Sequence, residues 1–220
     1  MAHVTRLDPA RVRENAARVR DEIAAAARRA GRDPGDVELL TAVKYVDVED
    51  IGVLAEAGLT LFGENRAQQL EAKIAAWPDP ALRWHFIGQL QSRKVKQILP
   101  LVELTHSVAS DSALKQLERH GTAETEVLVE VDVAGEEGKA GVAPGELPGF
   151  LERVPVRVVG LMGMPPFATD PEASRPHFAA LRELAERHGL RHLSIGTSQD
   201  YAVAVEEGAT IVRLGSVLFD

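Results

Sequence analysis

Lys44 sits in the run "LLTAVKYV", an apolar, β-favouring stretch with one cation set into it. A lysine there has two readings. Its stem can pack on apolar neighbours while the ammonium reaches solvent. Alternatively its amine points into a pocket, where burial and a neighbouring positive charge lower its pKa and leave a nucleophilic free amine. An amine of that kind condenses with an aldehyde.

Two glycine-containing turns near the other end of the chain suggest which aldehyde. Gly196-Thr197-Ser198 leads toward a helix expected from about Gln199, and Gly215-Ser216 closes the apolar run "TIVRLGS". Small residues let backbone N–H groups approach a ligand, a helix N-terminus adds unsatisfied donors, and hydroxyls add more. Together they describe a phosphate cradle. The plainer alternative makes Ser198 an N-cap and Gly215 a turn residue. A strand lysine plus a phosphate cradle points to a phosphorylated aldehyde, with pyridoxal 5'-phosphate (PLP) the foremost candidate. Arg213, two residues before Gly215, lies in an apolar run and needs a partner if buried. Facing a pyridine nitrogen, an arginine would leave that nitrogen unprotonated and the ring a weaker electron sink. A salt bridge to a nearby acid is the other option.

The remaining polar residues say less. His85 in "WHFIG" can be a hydrogen-bonded core histidine, Asn65 a helix cap, and Met162 and Met164 ordinary core. The seven histidines show no HxH or HExxH spacing, so no metal site is expected. No GxSxG elbow supports a Ser–His–Asp site. Lys139, in "GEEGKAGV", reads as a solvated loop lysine.

Eight short apolar segments alternate with helical ones and must position these residues. Strands are expected over 37–45, 60–64, 83–88, 102–108, 126–133, 156–164, 192–196 and 210–215. Helices are expected over 47–57, 66–76, 90–98, 110–120, 144–153, 172–188 and 199–207. Alternation of this kind implies parallel pairing. The count of eight favours an α/β fold of the (β/α)8 TIM-barrel type over an open doubly wound sheet, as does the missing GxGxxG after the first strand. A long helix over about 8–31 precedes the barrel, opened by Asp8-Pro9 and stopped at Gly31. With little room after the eighth strand for a last helix, this N-terminal helix is expected in its place. One domain over 1–220, with the barrel over about 37–220, is the economical organisation.

Composition agrees with a soluble chain. Of 220 residues, 45% are hydrophobic and 26% charged, and the formal net charge of -8 argues against non-specific nucleic-acid or anionic-membrane binding. The absence of cysteine removes disulfides, thiolate metal sites and a cysteine nucleophile. No signal peptide or membrane span is evident, so a cytoplasmic protein is expected.

Several segments together resemble a known family. "AVKYV", "LFGENRAQQL", "WHFIGQLQSRKVK", "HSVAS", "GEEGKAGV", "GLMGMPP", "SIGTSQDYAVAVEEGAT" and "VRLGSVLF" match, in order and spacing, the pyridoxal phosphate homeostasis proteins, small relatives of the alanine racemase barrel domain. The resemblance covers nearly the whole chain. It implies an alanine-racemase N-terminal-domain-like barrel with PLP held as an internal aldimine on Lys44. Ser198, Gly215 and Ser216, with the backbone at Gly196 and Thr197, would hold the phosphate. Arg213 would face the pyridine nitrogen, and Asn65, His85 and Met162 would line the pocket. Val43 and Tyr45 depart from the Ser and Thr usual beside the lysine, and Thr197 from a common Met. Alanine racemase adds a second domain that supplies a tyrosine base, and the tyrosines here are only Tyr45 and Tyr201. The expected role is therefore binding, storage and delivery of PLP by a monomer, with PLP-requiring apo-enzymes as partners, rather than robust turnover. The alternatives are a PLP-dependent racemase or decarboxylase, and an aldolase-like enzyme using Lys44 on a sugar phosphate.

Overall fold

In the computed structural model, which describes residues 6–135 and 140–220, Asp8 caps the first helix through the N–H groups of Ala10 and Arg11, at 2.9 and 3.3 Å. Helix α1 (Pro9–Arg29) buries Val12, Ala16, Val19, Ile23, Ala26 and Ala27 along one stripe, the spacing of an amphipathic helix. It ends where Gly31 takes a positive φ of 68° and Arg32 N–H returns to the Ala27 carbonyl, the glycine-dependent closure of a C-terminus. Lys139 lies outside the described residues.

Eight strands follow: β1 (Glu38–Ala42), β2 (Leu61–Glu64), β3 (Arg83–Phe86), β4 (Leu104–Val108), β5 (Glu126–Glu130), β6 (Arg157–Met162), β7 (His192–Ser194) and β8 (Ile211–Leu214). Each pairs in parallel with its sequence neighbours, and β8 pairs with β1, so the sheet closes. The crossovers carry α2 (Ile51–Glu56), α3 (Ala67–Ala76), α4 (Val95–Ile98), α5 (Asp111–His120), α6 (Leu147–Leu151), α7 (Arg175–Arg187) and α8 (Tyr201–Glu206). The chain is a (β/α)8 barrel, as the alternation predicts. Every expected strand is present, shorter at its ends because a parallel ladder stops where the loops diverge.

Helix α1 packs against α8 and α2, the two helices that flank the β8–β1 seam, and so fills the slot of an eighth barrel helix. Polar ties fix it there. The Arg32 guanidinium donates to the carbonyls of Val205 and Ala209, and Arg20 donates to that of Gly58. Tyr201 Oη donates to Glu22. One element is absent from the sequence reading. A four-residue helix, α9 (Ser216–Phe219), turns back from the end of β8 and packs on α1.

Side chains alternate across each strand. One set, Leu40, Leu61, Leu104, Leu128, Val159, Met162 and Ile211, fills the barrel interior. The other, with Phe62, Trp84, Val127, Leu161, Leu193 and Val212 among it, packs under the helices. Burial on both faces explains the near-continuous apolar strands. Met162 is core, whereas Met164 is exposed in the loop after β6.

Candidate functional site

Polar side chains gather toward the carboxyl ends of the strands, where barrels of this type carry their chemistry. Strand β1 stops at Ala42, earlier than expected, and Lys44 lies in the turn beyond it. Its side chain is exposed, with the ammonium 5.0 Å from the centre of the Tyr45 ring. Lys44 is therefore not a strand lysine beside the core. The turn leaves its amine accessible and rests it on an aromatic face, a favourable cation–π placement.

The glycine turns lie across the β8–β1 seam. A Cβ on Gly215 would stand 3.5 Å from the Ala42 carbonyl, which places this turn beside the strand end that leads to Lys44. Gly196 has a φ of +90°, and a Cβ there would come within 2.6 Å of Ala204 Cβ, so both backbone angle and helix approach require glycine. The donors are arranged differently from the sequence expectation. Helix α8 begins at Tyr201, not Gln199, and the Thr197 N–H donates to the Asp200 carboxylate at 2.7 Å. Ser174 Oγ donates to the other oxygen of that buried carboxylate. Ser198 instead faces α9, its Oγ accepting from Gly215 N–H at 3.2 Å and Val217 N–H at 3.5 Å. The hydroxyl oxygen thus sits where N–H groups converge. An anion's oxygen satisfies such donors equally well.

Arg213, on the inner side of β8, is buried, and its partners are carbonyls and a hydroxyl rather than an acid. Its Nη1 donates to Ser194 O and Oγ at 2.6 and 2.5 Å, and its Nη2 to Gly163 O at 3.2 Å. Burial pulls its pKa down to about 10, opposed by Glu130 and Asp200, so it remains a cation at neutral pH. Burial in turn raises the Glu130 carboxyl, with Arg213 opposing.

The chain of contacts continues inward. Ser194 Oγ is 2.9 Å from His106 Nδ1, and His106 Nε2 is 3.0 Å from His85 Nδ1. His85 Nε2 faces Glu103 Oε2 at 3.8 Å. Arginine only donates, so Ser194 Oγ accepts from Arg213. The tautomer that turns His85 Nε2–H toward the Glu103 carboxylate has His85 Nδ1 accepting from His106 Nε2, and His106 Nδ1 accepting from Ser194. Both imidazoles are neutral. Burial, then Arg83 and His192, pulls His85 down to about 3, and burial followed by His85, Arg213 and His192 holds His106 well below its usual range. His85 thus lies in the barrel interior, bonded to His106.

At the end of β2, Asn65 Oδ1 is buried without a hydrogen-bond partner among the described residues. Thr41 Oγ1 and Thr105 Oγ1 are likewise buried without a partner among the described residues. The structure therefore brings Lys44, Ser198, Gly215, Ser216 and Gly196 to one seam. It sets Arg213 on β8 itself, its guanidinium donating to Gly163 just past Met162 at the end of β6, and Asn65 at the end of β2. Ser194, Asp200 and the donors of α9 were not singled out as pocket residues from the sequence, and His106 stood out only as a polar residue near the end of the fourth strand. Only the serine-rich "SIGTS" and the proximity of Gly215 to Ser216 hinted at them.

No family model matches the chain. Individual relatives do. It is 42% identical over 219 residues to the pyridoxal phosphate homeostasis protein of Aquifex aeolicus, covering 94% of this chain and 96% of that one. It is 39% identical over 217 residues to the protein of the same name from Pseudomonas aeruginosa, covering 94% of each. The chain belongs to the pyridoxal phosphate homeostasis protein family.

Solved structures agree with that family. PipY of Synechococcus elongatus, with PLP bound, superposes with a TM-score of 0.77 at 30% identity over 95% of this chain and all of that one. The arginine decarboxylase of Paramecium bursaria Chlorella virus, at 14% identity and a TM-score of 0.72, shares the fold over 64% of its length. Among the described residues no group of acids and histidines could hold a metal ion, and no helix is long and apolar enough to cross a membrane.

Proposed function

We propose that this chain binds PLP at the β8–β1 seam and takes part in its homeostasis, by binding, storage and delivery, with Lys44 as covalent anchor. The observation that carries the reading is the adjacency of an exposed lysine turn to an N–H cluster bridged by a serine hydroxyl. An amine and an anion site side by side suit a phosphorylated aldehyde and little else. When bound, PLP supplies an electrophilic aldehyde carbon that condenses with a primary amine.

The chain's own residues divide the task. Ser198, Ser216 and the N–H groups at Gly215 and Val217 would hold the phosphate, with Gly196 letting the two turns approach. Arg213, fixed by Ser194 and Gly163, would present a permanent cation to the pyridine nitrogen and keep it unprotonated. That placement weakens the ring as an electron sink, which favours holding the cofactor over turning over amino acids. Asn65 would supply an acceptor, and Met162 and His85 the inner wall. Delivery would be to PLP-requiring apo-enzymes, from a cytoplasmic monomer.

The test is reduction with borohydride after adding PLP. Peptide mapping should place the added mass on Lys44, and Lys44→Ala should lose both that adduct and the visible absorbance of the bound cofactor. An adduct that persists on another lysine in Lys44→Ala would sink the assignment. Light scattering checks the monomer.

A further inference from the structure

Lys73 on α3 is buried to 1% side-chain exposure, and its partner Glu64 at the end of β2 to 0%. Nothing in the PLP reading uses either. Lys73 Nζ lies 2.5 Å from Glu64 Oε2 and donates to the Val43 carbonyl at 2.6 Å. That carbonyl belongs to the peptide unit that begins Lys44. The other carboxylate oxygen accepts from the N–H groups of Asn65 and Arg66, at 2.7 and 3.2 Å. One buried ion pair therefore grips the turn after β1 and the turn after β2 together.

A buried ion pair is a poor source of stability, since desolvating both charges offsets most of their attraction. Leucine and methionine would fill the space between β2 and α3 as well. What apolar residues cannot do is hold one particular carbonyl and two particular N–H groups, and charge-assisted bonds do so with high directionality. Both grips fall in the mouth. One ends at the peptide of Lys44, and the other at Asn65, whose Oδ1 is buried without a partner among the described residues.

We infer that Lys73 and Glu64 are positioning residues for the covalent capture of PLP, ordering the Lys44 turn so that its amine meets the aldehyde of a molecule seated in the phosphate cradle. This rests on Lys44 being the anchor. Neither residue touches the ligand. Their effect falls on condensation, not on recognition of the phosphate or ring.

Two probes separate these: PLP itself, and pyridoxine 5'-phosphate, which keeps the ring and phosphate but carries a hydroxymethyl group in place of the aldehyde. The variants are Glu64→Gln with Lys73→Met, which leaves no lone buried charge, and Glu64→Gln alone. The rate at which borohydride-trappable mass accumulates on the Lys44 peptide should fall about tenfold or more, while the dissociation constant for the analogue stays within about twofold. Capture at the wild-type rate overturns the inference. So does parallel loss of both probes, or loss of the folded circular-dichroism spectrum in both variants, since each makes the pair part of the general framework. If wild-type protein forms no adduct on Lys44, the reading of the anchor itself fails, a result distinct from these.

Discussion

The two ends of the barrel use their charged groups differently. At the amino ends of the strands, Arg83 pairs with Glu38 at 2.5 Å and Glu103 at 2.8 Å, and Arg157 with Glu126 at 2.7 Å. A cleft of about 440 Å³ opens there, between α1 and the strand entries, with Arg20, Glu38 and Arg83 on its walls. Its charges answer one another. At the carboxyl ends Lys44 stands on an aromatic ring, Arg213 is held by carbonyls, and a serine oxygen occupies an N–H cluster. Volume does not separate the ends, since a pocket of about 460 Å³ lies beyond the carboxyl ends of β4 and β5, beside Ala109, Val142 and Phe150. Donors and acceptors still available to a ligand favour the carboxyl end.

The sharpest way to break the comparison is at Lys44. Lys44→Ala should abolish covalent capture of PLP yet change stability by no more than about 0.5 kcal/mol, as expected for an exposed turn residue. A large drop in melting temperature would show that the lysine is structural.

The histidine pair between the ends is next. Its depressed folded pKa values make stability present above the unfolded value of about 6.5 and lost as pH falls toward about 3, the value for His85. At about 1.4 kcal/mol per pH unit for each proton taken up, His85 alone should cost on the order of 5 kcal/mol by its folded value. Denaturant midpoints at descending pH check this. His85→Phe with His106→Leu should show a shallower fall, and an unchanged slope would remove these histidines as its cause.

Gly196→Ala forces a side chain into a φ of +90° and against Ala204. We expect a loss of about 2 kcal/mol, roughly 4–8 °C in melting temperature for a chain of this size. Gly215→Ala meets nothing nearer than 3.5 Å and should cost far less, leaving phosphate affinity as its main readout. Equal losses at both glycines would blur the distinction between a turn shaped by packing and one open for a ligand.

The smallest effect belongs to the other end. Arg83→Ala removes two exposed ion pairs and should change stability by at most about 1 kcal/mol, with PLP capture unaltered. Slower capture in this variant would mean that the ends communicate.

Much of this was legible in the residues alone. Short apolar runs alternating with helical ones pointed to eight parallel strands, because burial on both faces leaves a near-continuous apolar pattern that needs no partner to be read. Asp8-Pro9 and Gly31 marked α1, since caps act within a few residues. Lys44, Gly196, Ser198, Arg213 and Gly215 stood out because their types are costly or unusual where they occur. The tertiary structure decided what pairs with what. Whether Lys44 lay in β1 or in the turn beyond it depended on where its neighbours' ladders stop. Whether Thr197 or Val217 supplies an N–H to the cluster at Ser198 depended on Asp200 and on α9, a helix too short to show a period. Glu64 stood out only as a polar residue closing the second strand, and Lys73, nine residues on, carried no signal. Only closure of β1 against β2, with α3 laid across them, set Nζ against the Val43 carbonyl. Local sequence carries propensity and pattern, whereas a contact between distant residues exists only once the barrel has closed.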